Sequence, residues 1–370
     1  MKTLRHLLVA ATIALSPVLH AAEIFVAHYE PLRDVMVRAG ETEFATVDAK
    51  LPRSVALSFE ALGQRFDLEL EANDRVMAGL PAGAVSERVA VYRGQLANNP
   101  DSWARIVLFD GIPRGLVWDG ETMFAIEAPG DSAVETSEPV MYRLSDLTIL
   151  PGTMSCGAKS ISGNAAEVYT SMKGEWDMAA AQAPGAISEI TVSVIGDSSF
   201  TDRKGGAAAA VAAISARFNN VDGWFSEQVG IQLRVELIET HSAASDPFGD
   251  TRDSGVLLSE LSEYRLQTPA HNRYGLTHLY TGRDFETSTV GVAWRGGLCD
   301  SYFSAGLSEG RAGEITESLI AAHEIGHNFN AEHDGKPDGS CPDEPETFIM
   351  APAVNGSRQF SACSIGVMQE

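Results

Sequence analysis

His323-Glu324-Ile325-Gly326-His327-Asn328-Phe329-Asn330-Ala331-Glu332-His333-Asp334 decides how the second half of this chain is read. In an α-helix, residues i and i+4 share one face a turn apart, so His323 and His327 can offer two imidazoles to a single ion. Glu324, one residue on, can reach a water on that ion without being a ligand. His333 follows His327 by six residues, enough chain to leave the helix and return a third nitrogen. Three nitrogens leave one position open, which is the pattern of a catalytic rather than a structural zinc. A sharp turn must separate the second and third histidines. Asn330 stands there, and Asn tolerates a left-handed backbone better than any residue but Gly. A lone His-Glu-x-x-His also occurs without a metal; the third His and the following Asp favour the metal reading.

Upstream of this stretch the pattern alternates between strand and helix. A helix is expected from about 313 to 328, with Ile315, Leu319, Ala322 and Gly326 on one narrow face. Ile190, Val192 and Val194 alternate with polar residues as in a half-buried strand, and Ile231 to Ile238 does the same. Val211, Ile214, Phe218, Val221 and Phe225 recur at helical spacing. Leu276 to Tyr280 and Val290 to Trp294 are further strands. The expectation for residues 187–370 is an α/β domain with a mixed twisted sheet and a helix carrying the site.

The first half reads differently. Trp103 to Phe109, Leu116 to Trp118 and Met123 to Ile126 are β-rich runs separated by Asp110-Gly111 and Asp119-Gly120, which favour tight hairpins. An antiparallel meander is expected over residues 23–155. Residues 156–186 shift to Ala, Gly, Ser and Pro and read as a linker. Residues 1–22 carry Lys2 and Arg5, an apolar run from Leu7 to Leu19 and small residues at Ala21 and Ala22. That is an export signal, too short to span a bilayer. The expected location is therefore outside the cell, with periplasmic transit allowed, and no membrane insertion is expected.

With 27 Lys and Arg against 50 Asp and Glu, the formal charge is -23, which argues against a nucleic-acid partner. The four cysteines, Cys156, Cys299, Cys341 and Cys363, are expected to form disulfides in an oxidising compartment, and spacing alone does not choose the pairing.

The zinc-binding run resembles the metzincin peptidases, whose pattern is H-E-x-x-H-x-x-G-x-x-H followed by a Met-turn. It is most similar to the adamalysin (reprolysin) family: Asp334 follows the third His, and Phe348-Ile349-Met350-Ala351-Pro352 matches the Met-turn. Astacin-like and serralysin-like enzymes place a Tyr where this chain has Pro352. Asn330 stands where the pattern has Gly, and the catalytic half has fewer cysteines than is usual in the family. Thr289 to Ala293 with Gly296-Gly297-Leu298-Cys299 resembles the family's substrate edge strand, and the first half is similar to its prodomain. The resemblance implies a secreted zinc endopeptidase made as a latent zymogen. His323, His327 and His333 would hold the metal, Glu324 would be the general base and Met350 a hydrophobic base beneath the histidines. A polypeptide substrate would lie antiparallel along Val290, Gly291, Val292 and Ala293.

The resemblance also pairs Cys299 with Cys363. It implies that Cys156 is a thiolate fourth ligand keeping the zymogen silent until the linker is cut, with the chain's own prodomain as inhibitor. The alternative for Cys156 is a disulfide with Cys341. A structural calcium ion, with Glu189 as one ligand, is a further implication. Two rival readings are a catalytically silent zinc-containing binding module, against which the intact Glu324 argues, and a zinc amidase acting on cell-wall peptides.

Overall fold

A computed structural model of the chain describes residues 24–39, 52–82, 88–160 and 188–370. The expected export signal, and the expected linker from 161 onward, lie outside the described residues.

The first half is an antiparallel meander, as the hairpin signals require. Its strands are β1 (Ile24–Val26), β2 (Glu30–Pro31), β3 (Arg33–Ala39), β4 (Ser54–Ala61), β5 (Gln64–Ala72), β6 (Val89–Leu96), β7 (Asn99–Phe109), β8 (Ile112–Trp118), β9 (Met123–Glu127), β10 (Val140–Arg143) and β11 (Leu147–Ile149). Nine of them form one sheet in the order β2-β10-β9-β8-β7-β6-β5-β4-β3, while β1 pairs with β11. Asp110 and Gly111 adopt φ of 50° and 79°, the doubly positive turn that joins β7 to β8. The central strands are apolar on both faces. Ala90, Tyr92, Ala104 and Ile106 pack within the sheet's own core, whereas Val89, Val91, Trp103 and Val107 face the second half.

The second half is the expected α/β unit. Strands β14 (Ser188–Gly196), β15 (Ile231–Thr240), β16 (Leu276–Thr281), β17 (Thr289–Arg295) and β18 (Ala305–Glu309) form a mixed sheet in the order β17-β18-β16-β14-β15. All neighbours in it are parallel except β17, which runs antiparallel to β18 at the edge. The helices are α1 (Asp74–Met77) in the first half, then α2 (Ser198–Lys204), α3 (Ala207–Trp224), α4 (Ser254–Gln267), α5 (Glu314–Asn328) and α6 (Ala362–Gln369), with a further single turn at Pro269–Asn272. Helix α3 lies between the two sheets, and one hydrophobic cluster runs from Val91 and Leu116 through Ile214 and Phe218 to Ile325 and Met350.

The two halves are also joined by a strip. Residues of β12 (Ser155–Cys156) and β13 (Lys159–Ser160) lie along the outer edge of β17 and run parallel to it. Cys156, Lys159 and Ser160, in the stretch expected to begin a linker, are therefore strand. Among the described residues no helix is long and apolar enough to cross a membrane.

Candidate metal centre

Helix α5 is buried along its whole length, and its C-terminal turn brings His323 and His327 to one face, as their spacing requires. The helix ends because Asn330 takes a left-handed φ of 71°, with its N–H bonded to the His327 carbonyl at 2.9 Å. The chain then swings back and delivers His333. The His323 and His327 Nε2 atoms stand 3.0 Å apart, and those of His327 and His333 3.2 Å apart.

The other ring nitrogens explain why. His323 Nδ1 bonds the Ile349 carbonyl at 2.6 Å and His327 Nδ1 bonds the Ala331 carbonyl at 2.7 Å. A carbonyl only accepts, so each Nδ1 carries the proton and each of these two Nε2 atoms presents a bare lone pair. Burial keeps the rings neutral: it takes His323 down to about 3 and His333 to about 4, and holds His327 well below the ordinary value. Unprotonated nitrogens that face one another at this distance call for a shared cation. Nitrogens bound to one zinc at 2.0–2.1 Å stand roughly 3.3 Å apart in tetrahedral geometry, so the residues fit the ion.

Met350 is fully buried, and its sulfur lies 2.5 Å from where a Cβ on Gly326 would stand. Gly326 is therefore the gap in the helix that admits Met350 beneath the histidines. Asp334 ties the third histidine to this floor. Its N–H bonds the Met350 carbonyl, and its Oδ1 accepts from the Ser361 and Ser364 hydroxyls at 2.8 and 2.9 Å.

Glu324 is buried against the edge strand. A Cβ on Gly291 would come within 2.5 Å of its Oε1, so only glycine at this point of β17 leaves room for the carboxylate. Burial pushes the Glu324 carboxyl up to about 8, opposed by a hydrogen bond from the Cys156 thiol to Oε2 at 3.5 Å. Burial and the nearby Glu324 raise the Cys156 thiol as well; a cation among the histidines reverses that, since a coordinating thiol is deprotonated.

Cys156 lies within the cluster. Its sulfur and the three histidine nitrogens all lie within 4.8 Å of one another, and no other group of three or more His, Cys, Asp or Glu ligands is that close among the described residues. Glu189, the expected calcium ligand, is exposed at the start of β14 and belongs to no such group. Cys156 is a free thiol, which removes the alternative bond to Cys341. The strip holds it in place: Ser155 N–H bonds the Ser288 carbonyl at 2.7 Å and Gly157 N–H bonds the Gly291 carbonyl at 2.9 Å. On its other side Val354 N–H bonds the Met154 carbonyl at 3.1 Å. Met154 packs with Val290 and Ile320.

One expectation is overturned. Cys363 is bonded to Cys341, not to Cys299. Asp334 draws Ser361 and Ser364 at the start of α6 towards the third histidine. The Gly335 N–H bonds the Cys341 carbonyl at 3.0 Å, which folds Cys341 back onto that helix start. Cys299 is left a free, exposed thiol in the loop after β17.

With the geometry in view, residues 187–361 match the family profile Reprolysin_5, described as metallo-peptidase family M12. This half is an adamalysin/reprolysin-type metzincin domain. Similar proteins include human disintegrin and metalloproteinase domain-containing protein 33, 26% identical over 83% of this chain and 40% of its own length. Zinc metalloproteinase-disintegrin-like atrase-A of Naja atra is 34% identical over 32% of this chain and 19% of its own. Snake venom metalloproteinase TM-1 of Protobothrops mucrosquamatus is 32% identical over 30% of this chain and 55% of its own. The chain thus spans less than two thirds of each of these relatives.

The sequence reading missed the Ile349 and Ala331 carbonyls that set the tautomers, and the fit of Gly291 to Glu324. It also missed Asn328, whose side-chain amide bonds the Trp294 and Ala305 carbonyls at 2.9 and 3.0 Å and so fastens α5 to the edge of the sheet. Backbone carbonyls leave no residue-type signal; a glycine within a strand pattern did offer one.

Proposed function

We propose that this chain is an exported, latent precursor of a zinc-dependent endopeptidase. His323, His327 and His333 hold the metal and Glu324 is the general base. The observation that carries the reading is the convergence of the histidine Nε2 atoms beside a buried carboxylate. On this reading residues 1–22 are the export signal, 23–155 the pro-region and 187–370 the peptidase domain; the venom relatives accord with export.

Zinc bound there supplies Lewis acidity, lowering the pKa of water to roughly 7 and polarising a carbonyl. Glu324 receives a proton from the attacking water and hands it to the departing amine. The outer edge of β17 takes a polypeptide by main-chain hydrogen bonds, running antiparallel. The strip 152–160 now covers that edge in the opposite direction, with the Cys156 sulfur beside the histidines. Latency therefore lasts as long as this strip stays in place. A calcium site at Glu189 stands as a proposal of the resemblance alone.

The test places one specific protease site at Gly152 and a second between residues 161 and 187. Stoichiometric zinc in all forms, with casein cleaved only after both cuts, supports the reading. A protein without zinc, or one that carries zinc and leaves casein intact after both cuts, contradicts it.

A further inference from the structure

The N-terminal sheet does more than carry the strip. Every residue of α3 from Ala210 to Trp224 is buried, including Arg217, Asn219, Asn220 and Asp222. A helix on the outside of an α/β domain keeps a polar face for water; here Asn220 faces Glu314 and Ser318 of α5, and the first half covers the others. Asp222 is met by Arg75 at 2.8 Å and Arg105 at 3.4 Å. Arg217 and Lys204 share Asp131 at 2.7 and 2.6 Å. Asn219 accepts from the Asn73 side chain at 2.8 Å and donates to the Tyr92 carbonyl at 3.0 Å. Arg217 and Lys204 also pair with Glu317 of the second half, and shedding the sheet would return these charges to water. It would also expose the apolar side chains that share one cluster across the two halves, among them Val91, Trp103, Leu116, Ile214 and Phe218, and that exposure is unfavourable.

The sheet also finishes the helix that bears the site. Helix α5 starts after Gly313, which has no side chain with which to cap it. The cap comes from the end of β9 and the turn after it. The Glu127 carboxylate, fully buried, accepts from the Ile315 N–H at 3.0 Å, and the Asp131 carbonyl accepts from the Glu314 N–H at 3.2 Å. Two of the helix's orphan donors are thus satisfied from the first half. Gly313 has φ of 87°, and a Cβ there would stand 2.8 Å from the Ala133 nitrogen, so the contact is built into the backbone of both halves. The strip is held more lightly: Pro151 and Gly152 before it, and Lys159 and Ser160 at its end, are exposed.

We infer that the N-terminal sheet is a lasting part of the working enzyme rather than a prodomain that is shed. After proteolysis, residues 24–150 stay bound to 188–370, with Glu127 as a positioning residue for α5, and only the strip with Cys156 leaves. A cut beyond residue 160 alone leaves the strip tethered to a bound sheet, where its effective concentration keeps it in the cleft.

The activity arm of the test rests on the proposed peptidase reading; the association arm does not. The full chain carrying the two protease sites is cut at the second site only, or at both, then passed over a sizing column in buffer with zinc. Fragments are identified by mass spectrometry and casein cleavage is measured in each fraction. The expected result is co-elution of both pieces in either case, with activity only after both cuts and in the fraction holding both pieces. A C-terminal piece that elutes alone and folded, or activity confined to fractions without the sheet, overturns the inference. Co-elution without cleavage by the doubly cut protein upholds the lasting interface and removes the peptidase reading instead. Glu127→Gln, which keeps an acceptor, is expected to retain full association, whereas Glu127→Ala lowers kcat several-fold at unchanged zinc content. Unchanged kcat in Glu127→Ala contradicts the positioning role.

Discussion

Replacing Gly291 with alanine tests the active-site geometry at one atom. The three atoms nearest the added Cβ are all of Glu324: Oε1 at 2.5 Å, Cγ at 2.8 Å and Cδ at 2.9 Å. Ordinary contact begins at 3.4 Å, so the carboxylate or the edge strand must move by about 0.9 Å. Either movement displaces the base from the peptide bond lying on β17. A misplacement of about 1 Å costs on the order of 10²-fold in rate, equivalent to about 2.7 kcal/mol of barrier. The three atoms all belong to one side chain, so stability should barely change. Gly291→Ala, cut at both sites and assayed on casein, should lose about 10²-fold in kcat while keeping its zinc and its Tm. A kcat within about threefold of the wild type, below the ~10² expected of such a displacement, at full zinc content would refute the packing of Glu324 against Gly291.

Cys156→Ala removes the sulfur beside the histidines but not the main-chain bonds of the strip to β17, so it should cleave casein after the second cut alone; activity that still requires both cuts would remove the switch. Cys341→Ser should destabilise by about 3 kcal/mol, the chain-entropy value for a 22-residue loop, read as a fall in Tm with zinc retained; an unchanged Tm would show that the loop closes without the bond. Asn330→Ala should cost about 1–2 kcal/mol because the native φ is left-handed, while Asn330→Gly should stay within about 1 kcal/mol. Burial raises the Glu314 carboxyl to about 8 from an ordinary 4.5, since its ion pair with Arg114 is long at 3.8 Å and Oε2 makes no hydrogen bond. A raised folded-state value favours the protonated form, so the native state loses stability as pH climbs from 4.5 through 8. The Tm of Glu314→Gln should accordingly gain on the wild type across that window, and a constant gap would contradict the assignment.

The metal centre was legible because its information is local. Two histidines four apart need only a helix to meet, and Asn330 marked the turn that returns the third. The hairpins at Asp110-Gly111 and Asp119-Gly120 were legible for the same reason. Charges inside apolar runs were not understood: Arg105 and Glu127 interrupt strands whose alternate residues face the second half, and only the tertiary partner, Asp222 or the start of α5, explains them. The pairing of Cys363 failed because it depends on how the loop after Asp334 folds back, a long-range matter on which spacing is silent. Strand β18 and helix α4 were not anticipated; Ala305–Glu309 is short and glycine-containing, and buried by its neighbours rather than by its own pattern.

The central claim is that Glu324 is the general base at a zinc held by His323, His327 and His333. Casein cleavage by wild-type and Glu324→Ala protein, each cut at both sites and each with bound zinc quantified, tests it most directly. Cleavage by the wild type, and its loss in a variant that still carries zinc, is the result the account predicts. Equal cleavage by the two, or zinc in both with cleavage by neither, would contradict it.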